Sequence, residues 1–443
     1  MANDFVIYFK DKATFNQITA VDKALQKIGP GPVVQEDMCF SATLNWGTTG
    51  RDRNNLMGHL NLAADIVISV EEGDLDRKVA MDTKFWNVAF TDSIRQTTQT
   101  AWGNWTLNPA IVPGAVGIVD PGTGSFTPVA TIPGATIINL VGPEAWAIES
   151  SSVRKSESEV EFKGGYKDPS SGQEVNVGLN VAWTFAREGS IVSNATLTGM
   201  SMVDDFGTLM KDQFDWLLQR ARSVGHASKD GIVQGFGMIT HARLCAGAVN
   251  IGSLNDNSSF SLVGSIDGID SMTGGGEVSA DVRGSYKETN QSKAFESHMW
   301  PANVNTAAPH DLAIMYQFAT FHSKLIMPTW IRPLTGLRVI LDNAHGGTYI
   351  ADCRVEYSVP GMPDQTTKEN TVPGGQVHTI DGIPLEATDL AIRIHFRAGD
   401  DFYFSVPLPL ASWLTGQCTV DLSGVWPWGS KAVIREVYHG LGS

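Results

Sequence analysis

Between Glu174 and Gly189 the chain reads EVNVGLNVAWTFAREG, with Val175, Val177, Leu179, Val181, Trp183 and Phe185 at consecutive odd positions and Asn176, Gly178, Asn180, Ala182 and Thr184 between them. A period of two is the signature of an extended strand with one apolar face, because successive side chains point to opposite sides. The segment is also long enough to cross a bilayer when tilted. Upstream, Glu157, Glu159, Glu161 and Lys163 alternate with Val160, Phe162, Gly164 and Tyr166, and Lys167-Asp168-Pro169-Ser170-Ser171-Gly172 has turn chemistry. Residues 153–189 are therefore predicted to form an amphipathic hairpin. Such a hairpin is compatible with two fates: a soluble sheet packed on a core, or a strand pair that unfurls into a transmembrane barrel.

The spacing predicts a helix over 204–222, acidic where it opens and closed by Arg220 and Arg222, in keeping with the helix dipole. It is the nearest amphipathic candidate to cover the apolar face of 174–185. Phe236–Leu244 and Ala246–Ile251 read as strand, with a turn at Asn255-Asp256-Asn257 and a return along Phe260, Leu262 and Gly264. Alternation resumes over Glu277–Tyr286, so 245–286 is a second, weaker hairpin candidate. Nearer the N-terminus, strands are expected at Val6–Phe9, Cys39–Trp46, Leu60–Val70 and Phe85–Thr91. A helix carrying Ile18, Val21, Leu25 and Ile28 should end at Gly29-Pro30-Gly31-Pro32. From about residue 325 onward, short strands recur at the spacing of a β-sandwich, among aromatic residues that include Trp413, Trp426 and Trp428. The expected organisation is an N-terminal mixed β/α domain over 1–110, a central domain over 111–324 and a β-sandwich over 325–443. The fold class is α+β: a central bent antiparallel sheet with amphipathic hairpins and helices, flanked by sandwich-like domains.

Composition narrows the function. A formal net charge of −15 and the lack of any basic run argue against nucleic acid as a partner. No stretch approaches the roughly 18 apolar residues of a spanning helix. The opening residues MANDFVIYFKDKATF carry no leader pattern, so the expected origin is cytosolic, or export without a leader. Cys39, Cys245, Cys353 and Cys418 are scattered singly and read as reduced. Motifs for nucleophilic, zinc or nucleotide chemistry are absent, so no enzyme, cofactor or metal is expected. His241 and Cys245, four apart on a strand, make a weak nucleophile signal, and His378 and His395 read as ordinary strand histidines. Asp267-Gly268-Ile269-Asp270 and Glu71–Asp76 offer oxygen ligands for calcium but read better as solvated turns.

The order of hairpin 153–189, helix 204–222, the GFGMITHARL strand and the Gly/Ser-rich segment 245–286 resembles the pore-forming domain shared in outline by gasdermins and by the perforin and cholesterol-dependent cytolysin superfamily. PGAVGIVDPGTGSFTPVATIPG, just upstream, is similar to a gasdermin-type entry into the sheet. The resemblance implies a toxin-like pore former that is delivered soluble, self-associates into a ring on a target lipid or receptor, and inserts strands. On that reading Val175, Val177, Leu179, Val181, Trp183 and Phe185 are the membrane-inserting face, and Trp413, Trp426 and Trp428 are the membrane- or receptor-binding residues. The alternative, from a different class, is a non-enzymatic carbohydrate-binding or viral or phage surface protein.

Overall fold

In the computed structural model the chain divides into two compact units, Met1–Met81 and Asp82–Ser443. The structure describes residues 3–9, 33–34, 41–46 and 67–73 of the first. In the second it describes 83–436, apart from 276–282, 291–293, 345–347, 407–412 and 426–427. The first unit contains an antiparallel sheet in the order Val33–Val34, Ser41–Trp46, Asn3–Phe9, Val67–Gly73. The helix expected around Ile18–Ile28 lies outside the described residues.

The second unit begins with helix α1 (Thr83–Thr98), where a strand was expected over Phe85–Thr91. The helical period wins because Trp86, Phe90 and Ile94 recur every four residues and all three are buried, whereas Phe85 is left exposed. Trp86 stacks on Trp105 with ring centroids 6.0 Å apart, and Phe90 meets Trp105 and Trp146 edge-on. Near the end of the helix, the buried Arg95 donates from Nε to Ala101 O at 2.9 Å and lies 4.0 Å above the Trp102 ring. Burial pushes its guanidinium down to about 10. Trp102 in turn donates its indole N–H to Trp330 O at 2.7 Å.

Four strands, β1 (Ile137–Glu149), β2 (Val153–Lys167), β3 (Glu174–Phe185) and β4 (Ile191–Val203), come next. Helices α2 (Phe206–Asp212) and α3 (Phe214–Ser223) follow, then β5 (Phe236–Ser253), β6 (Ser258–Gly264), α4 (Ile266–Thr273), β7 (Glu288–Asn290) and β8 (Leu312–His322). The central sheet is antiparallel in the order β8-β5-β4-β1, and a second sheet is ordered β7-β6-β3-β2. Register shifts at Leu197–Gly199 in β4, and at two points in β5, interrupt the central ladder and bend it. Gly199 sits where β1 crosses so closely that a Cβ there would lie 2.0 Å from Leu140 O.

Two expectations change here. The single helix over 204–222 is two helices broken at Gln213. Their buried residues Met210, Leu217 and Ala221 pack on Val203, Phe236, Met238 and Phe321, away from β3. The second hairpin is not made by β5 and β6, and residues 277–282 of the strand expected over Glu277–Tyr286 lie outside the described residues. β6 leaves β5 and pairs instead with β3, bringing Trp183 opposite Phe260 and Val181 opposite Leu262, because that pairing buries four large apolar side chains together.

The C-terminal part is a sandwich. Strands β9 (Leu337–Asp342), β10 (Ala351–Ser358), β11 (Val377–Ile383), β12 (Thr388–Phe396), β13 (Asp401–Ser405), β14 (Gln417–Gly424) and β15 (Ser430–Glu436) form two sheets. Their longer paths run β11-β9-β14-β15 and β10-β12-β13. Inward residues such as Val339, Leu341, Cys353, Val355, Ile392, Ile394 and Val420 share one core, which continues through Leu334 and Trp330 to Phe318 and Trp102 of the central region. Removing the Trp102 ring opens a cavity at this junction and strips Arg95 of its cover. Trp102→Ala should therefore lose about 3–5 kcal/mol of unfolding free energy, read as a lowered denaturant midpoint for the whole second unit.

Candidate functional site

The β2–β3 hairpin forms as its alternation predicts, but its two strands are not amphipathic in the same sense. Directly opposed residues on antiparallel strands share a face. The register pairs Val177 with Glu161, Leu179 with Glu159, Val181 with Glu157 and Trp183 with Lys155. The odd face of the hairpin is thus apolar along β3 and charged along β2. The even face carries Ser156, Ser158, Asn180, Ala182 and Thr184, with Asn180 Nδ2 donating to Ser158 Oγ at 3.4 Å.

Of the six predicted inserting residues, Val181, Trp183 and Phe185 are fully buried, Val175 and Leu179 are half-buried, and Val177 is 44% exposed. The buried three lie against Ile269 and Met272 of α4, against Phe260 and Leu262 of β6, and against Val192, Val249 and Ile251 of the central sheet. The cover is therefore α4 and not the helices of 204–222. The Asp267–Asp270 segment read as a turn is part of this helix.

A polar latch holds the cover in place. Asp168, in the β2–β3 turn, is buried. It accepts from the backbone N–H groups of Ser170 and Ser171 at 2.9 and 2.8 Å. It also accepts from the hydroxyls of Ser170, Ser265 and Ser285, the last at 3.2 Å. Ser265 is at the same time the N-cap of α4, accepting from Gly268 N–H at 3.2 Å. One hydroxyl thereby ties the hairpin turn to the helix that covers its apolar face. Gly268 is required at this point, since a Cβ would come within 2.3 Å of Ser285 Oγ. Burial raises the Asp168 carboxyl, but the hydrogen bonds from Ser170, Ser265, Ser171 and Ser285 outweigh it and hold the group below its usual range. Next to the latch, Lys287 Nζ lies 4.6 Å above the Phe162 ring. Burial and the Asp168 charge push Tyr166 up to about 12.

The three predicted tryptophans separate. Trp413 is fully buried in the sandwich and has no surface to offer a partner. Trp426 lies outside the described residues. Trp428 sits in the β14–β15 turn with 83% of its surface exposed, a large ring presented to water at one end of the sandwich. The weak nucleophile pair is inert in this structure: Cys245 is buried, its thiol is directed at Leu312 O and burial pushes it up to about 12. Among the described residues no cluster of metal-ligating side chains occurs. Sequence reasoning missed Asp168 because it read the segment as a turn alone. Two of its partners, Ser265 at the N-cap of α4 and Ser285, are distant in the chain.

No family model matches this chain, and no curated protein matches it. Among solved structures it is similar to the cytotoxin suilysin from Streptococcus suis, at 10% identity and a TM-score of 0.19, over 77% of this chain and 88% of that one. It is also similar to a disulfide-locked mutant of intermedilysin solved with human CD59, at 10% identity and a TM-score of 0.19, over 76% and 87%. The likeness is weak at that score.

The sign of the Asp168 shift decides what acid does. A carboxyl held below its usual value stabilises the fold fully above the unfolded pKa of about 3.9. That contribution is lost only as pH falls through the lower folded value. The latch should therefore stay closed between pH 5 and pH 8, with amide protection factors across 153–185 unchanged. Asp168→Asn should open it at neutral pH, removing about 1–3 kcal/mol of local protection in the turn and α4 while the C-terminal sandwich keeps its exchange rates.

Proposed function

We propose that the protein is a non-enzymatic pore former that self-associates on a target membrane and inserts strands from its central region as a barrel. The observation that carries the reading is topological. β2–β3 is an insertion between central strands β1 and β4, and β6–α4–β7 is an insertion between β5 and the strand Phe295–Trp300, which returns to pair with β5. Both leave the same end of the central sheet, where Glu149 pairs with Val192 and Gly252 with Ile191. The two insertions meet through β3 and β6. Only residues 150–152 separate β1 from β2, and 186–190 separate β3 from β4. Straightening both joints would turn each pair into one long strand, a two-state change of packing. At the other flank β1 is an edge strand that exposes Ile137, Leu140 and Val141, an edge that a neighbouring copy would cover by strand pairing. Apolar burial in lipid at about 25 cal/mol per Å² supplies the drive, and closing the barrel satisfies the backbone.

The present register constrains the insertion. Kept as it is, it would carry Glu157, Glu159 and Glu161 into lipid beside Val181, Leu179 and Val177. β2 must therefore slip against β3 by an odd number of residues, which moves Val160 and Phe162 onto the apolar face. The same register favours the second reading, a non-enzymatic surface or carbohydrate-binding protein whose hairpin never leaves the sheet.

Dye release from liposomes, with ring-shaped oligomers in negative stain, separates the two readings. Leu179→Arg should fold and lose leakage, since a charge near the bilayer midplane costs about 2–4 kcal/mol, whereas Asn180→Arg should remain lytic. The opposed pair Ser158→Cys with Asn180→Cys, oxidised, should bind membranes without leakage and recover on reduction. An oxidised protein that leaks normally would show that no slip occurs. A wild-type protein that permeabilises no membrane would leave the surface-protein reading standing.

A further inference from the structure

A cavity of about 530 Å³ opens where the segment leaving the central sheet enters the sandwich, lined among others by Arg332, Thr335, Arg338, Asp381 and Thr415. That volume lies within the roughly 300–1,000 Å³ typical of sites for small organic ligands. The cavity occupies one end of the sheet, where the start of β9, the end of β11 and the start of β14 come together. There Leu337 pairs with Ile383 and Arg338 with Gln417.

Two observations make it a candidate site and not merely a surface hollow. The first is unneutralised positive charge. Arg332 donates to Thr415 O at 2.7 Å, and Arg338 donates through Nε and Nη2 to Gln417 Oε1 at 3.2 and 2.8 Å. Among the described residues neither guanidinium makes an ion pair, in a chain of net charge −15 whose Arg354, Arg393, Arg397 and Arg435 are all paired with carboxylates. Desolvation and the neighbouring charge of Arg338 hold Arg332 below its usual range. The second is an orphan donor. Thr415 is 8% exposed, and its hydroxyl has no hydrogen-bond partner, which is uncommon for a buried polar group.

We infer that this cavity binds the phosphate monoester of a small hydroxylated molecule, with Arg332 and Arg338 on the phosphate, the Thr415 hydroxyl donating to it, and Asp381 accepting from hydroxyls of the ligand body. Forked guanidiniums match phosphate oxygens. The cavity is larger than one oxyanion requires, and its single carboxylate suits a polyol and not a second anionic group. The ligand is soluble and not a lipid headgroup, because the cavity lies at the Gln417 end of β14 and the exposed Trp428 follows the opposite end. The wall is tied to the central sheet: Gln234 accepts from Leu334 N–H and the Trp330 indole at 2.9 and 3.1 Å. Occupancy thus stiffens the junction between sheet and sandwich. The exclusion of a lipid headgroup rests on the proposed membrane contact at Trp428, whereas the phosphate site itself does not.

Calorimetric titration of the full chain at constant ionic strength tests it, with inorganic phosphate, glucose 6-phosphate and glucose as probes. Glucose 6-phosphate should bind at least as well as phosphate, and glucose should not bind. Arg332→Gln and Arg338→Gln should each weaken binding by about tenfold or more, with the far-UV circular dichroism of the folded chain retained in the absence of ligand. Arginine modification by phenylglyoxal on the unmutated protein, mapped by mass spectrometry, needs no folded variant. Glucose 6-phosphate should protect Arg332 and Arg338 and leave Arg354 reactive. Co-sedimentation with phosphatidylcholine vesicles should not increase when phosphatidylinositol 4-phosphate is added, and a rise abolished by Arg332→Gln would overturn the soluble-ligand assignment. Absence of phosphate binding, or binding by both variants as tight as that of the unmutated protein, would overturn the site itself.

Discussion

The arrangement of the second unit depends on keeping the odd face of β3 out of water. Val181, Trp183 and Phe185 are fully buried, and each large apolar side chain so placed is worth about 1.5–3 kcal/mol relative to exposure. The central sheet supplies one wall of that compartment, and β6 and α4 supply the others. The path of the chain follows from this requirement. β6 abandons its sequence neighbour β5 to lie beside β3, and the eight-residue helix α4 is placed over the exposed side of the pair.

So short a helix cannot stand by itself, since isolated helices below about 12 residues are marginal in water. Its N-cap does more than end it. Ser265 links the helix to the Asp168 carboxylate, and that carboxylate collects donors from the hairpin turn, from the cap and from Ser285. The apolar compartment and the polar latch are thus one device, and separating α4 from the hairpin breaks both. Trp183 leaves its indole N–H without a partner in the same compartment. A buried unpaired donor is destabilising, and this one weakens the covered state.

The lower half of the unit is joined differently. Trp102, Trp330 and Gln234 bind helix α1, the central sheet and the first turn of the sandwich into one packed junction. The sandwich core is continuous with it. The sandwich is therefore joined to the central sheet by rigid packing and not by a flexible linker.

Much of this was legible in the residues. The period-two run of β3 and the turn after Lys167 located the hairpin. The recurrence of short strands after residue 325 located the sandwich, because alternation and turn chemistry are local properties that a single strand displays without its partners. Phe85–Thr91 misled because Phe and Trp favour strands, while burial of Trp86, Phe90 and Ile94 at four-residue spacing decided for helix. Partner choice was not legible. β6 pairing with β3, α4 instead of the 204–222 segment as the cover, glutamates opposite the apolar face, Trp413 inside and Trp428 outside all depend on which distant surfaces meet. The sequence by itself determined which segments are strands and which faces are apolar. Only the tertiary structure decided which apolar face each one meets, because burial is non-directional and register shifts by a single residue exchange the faces.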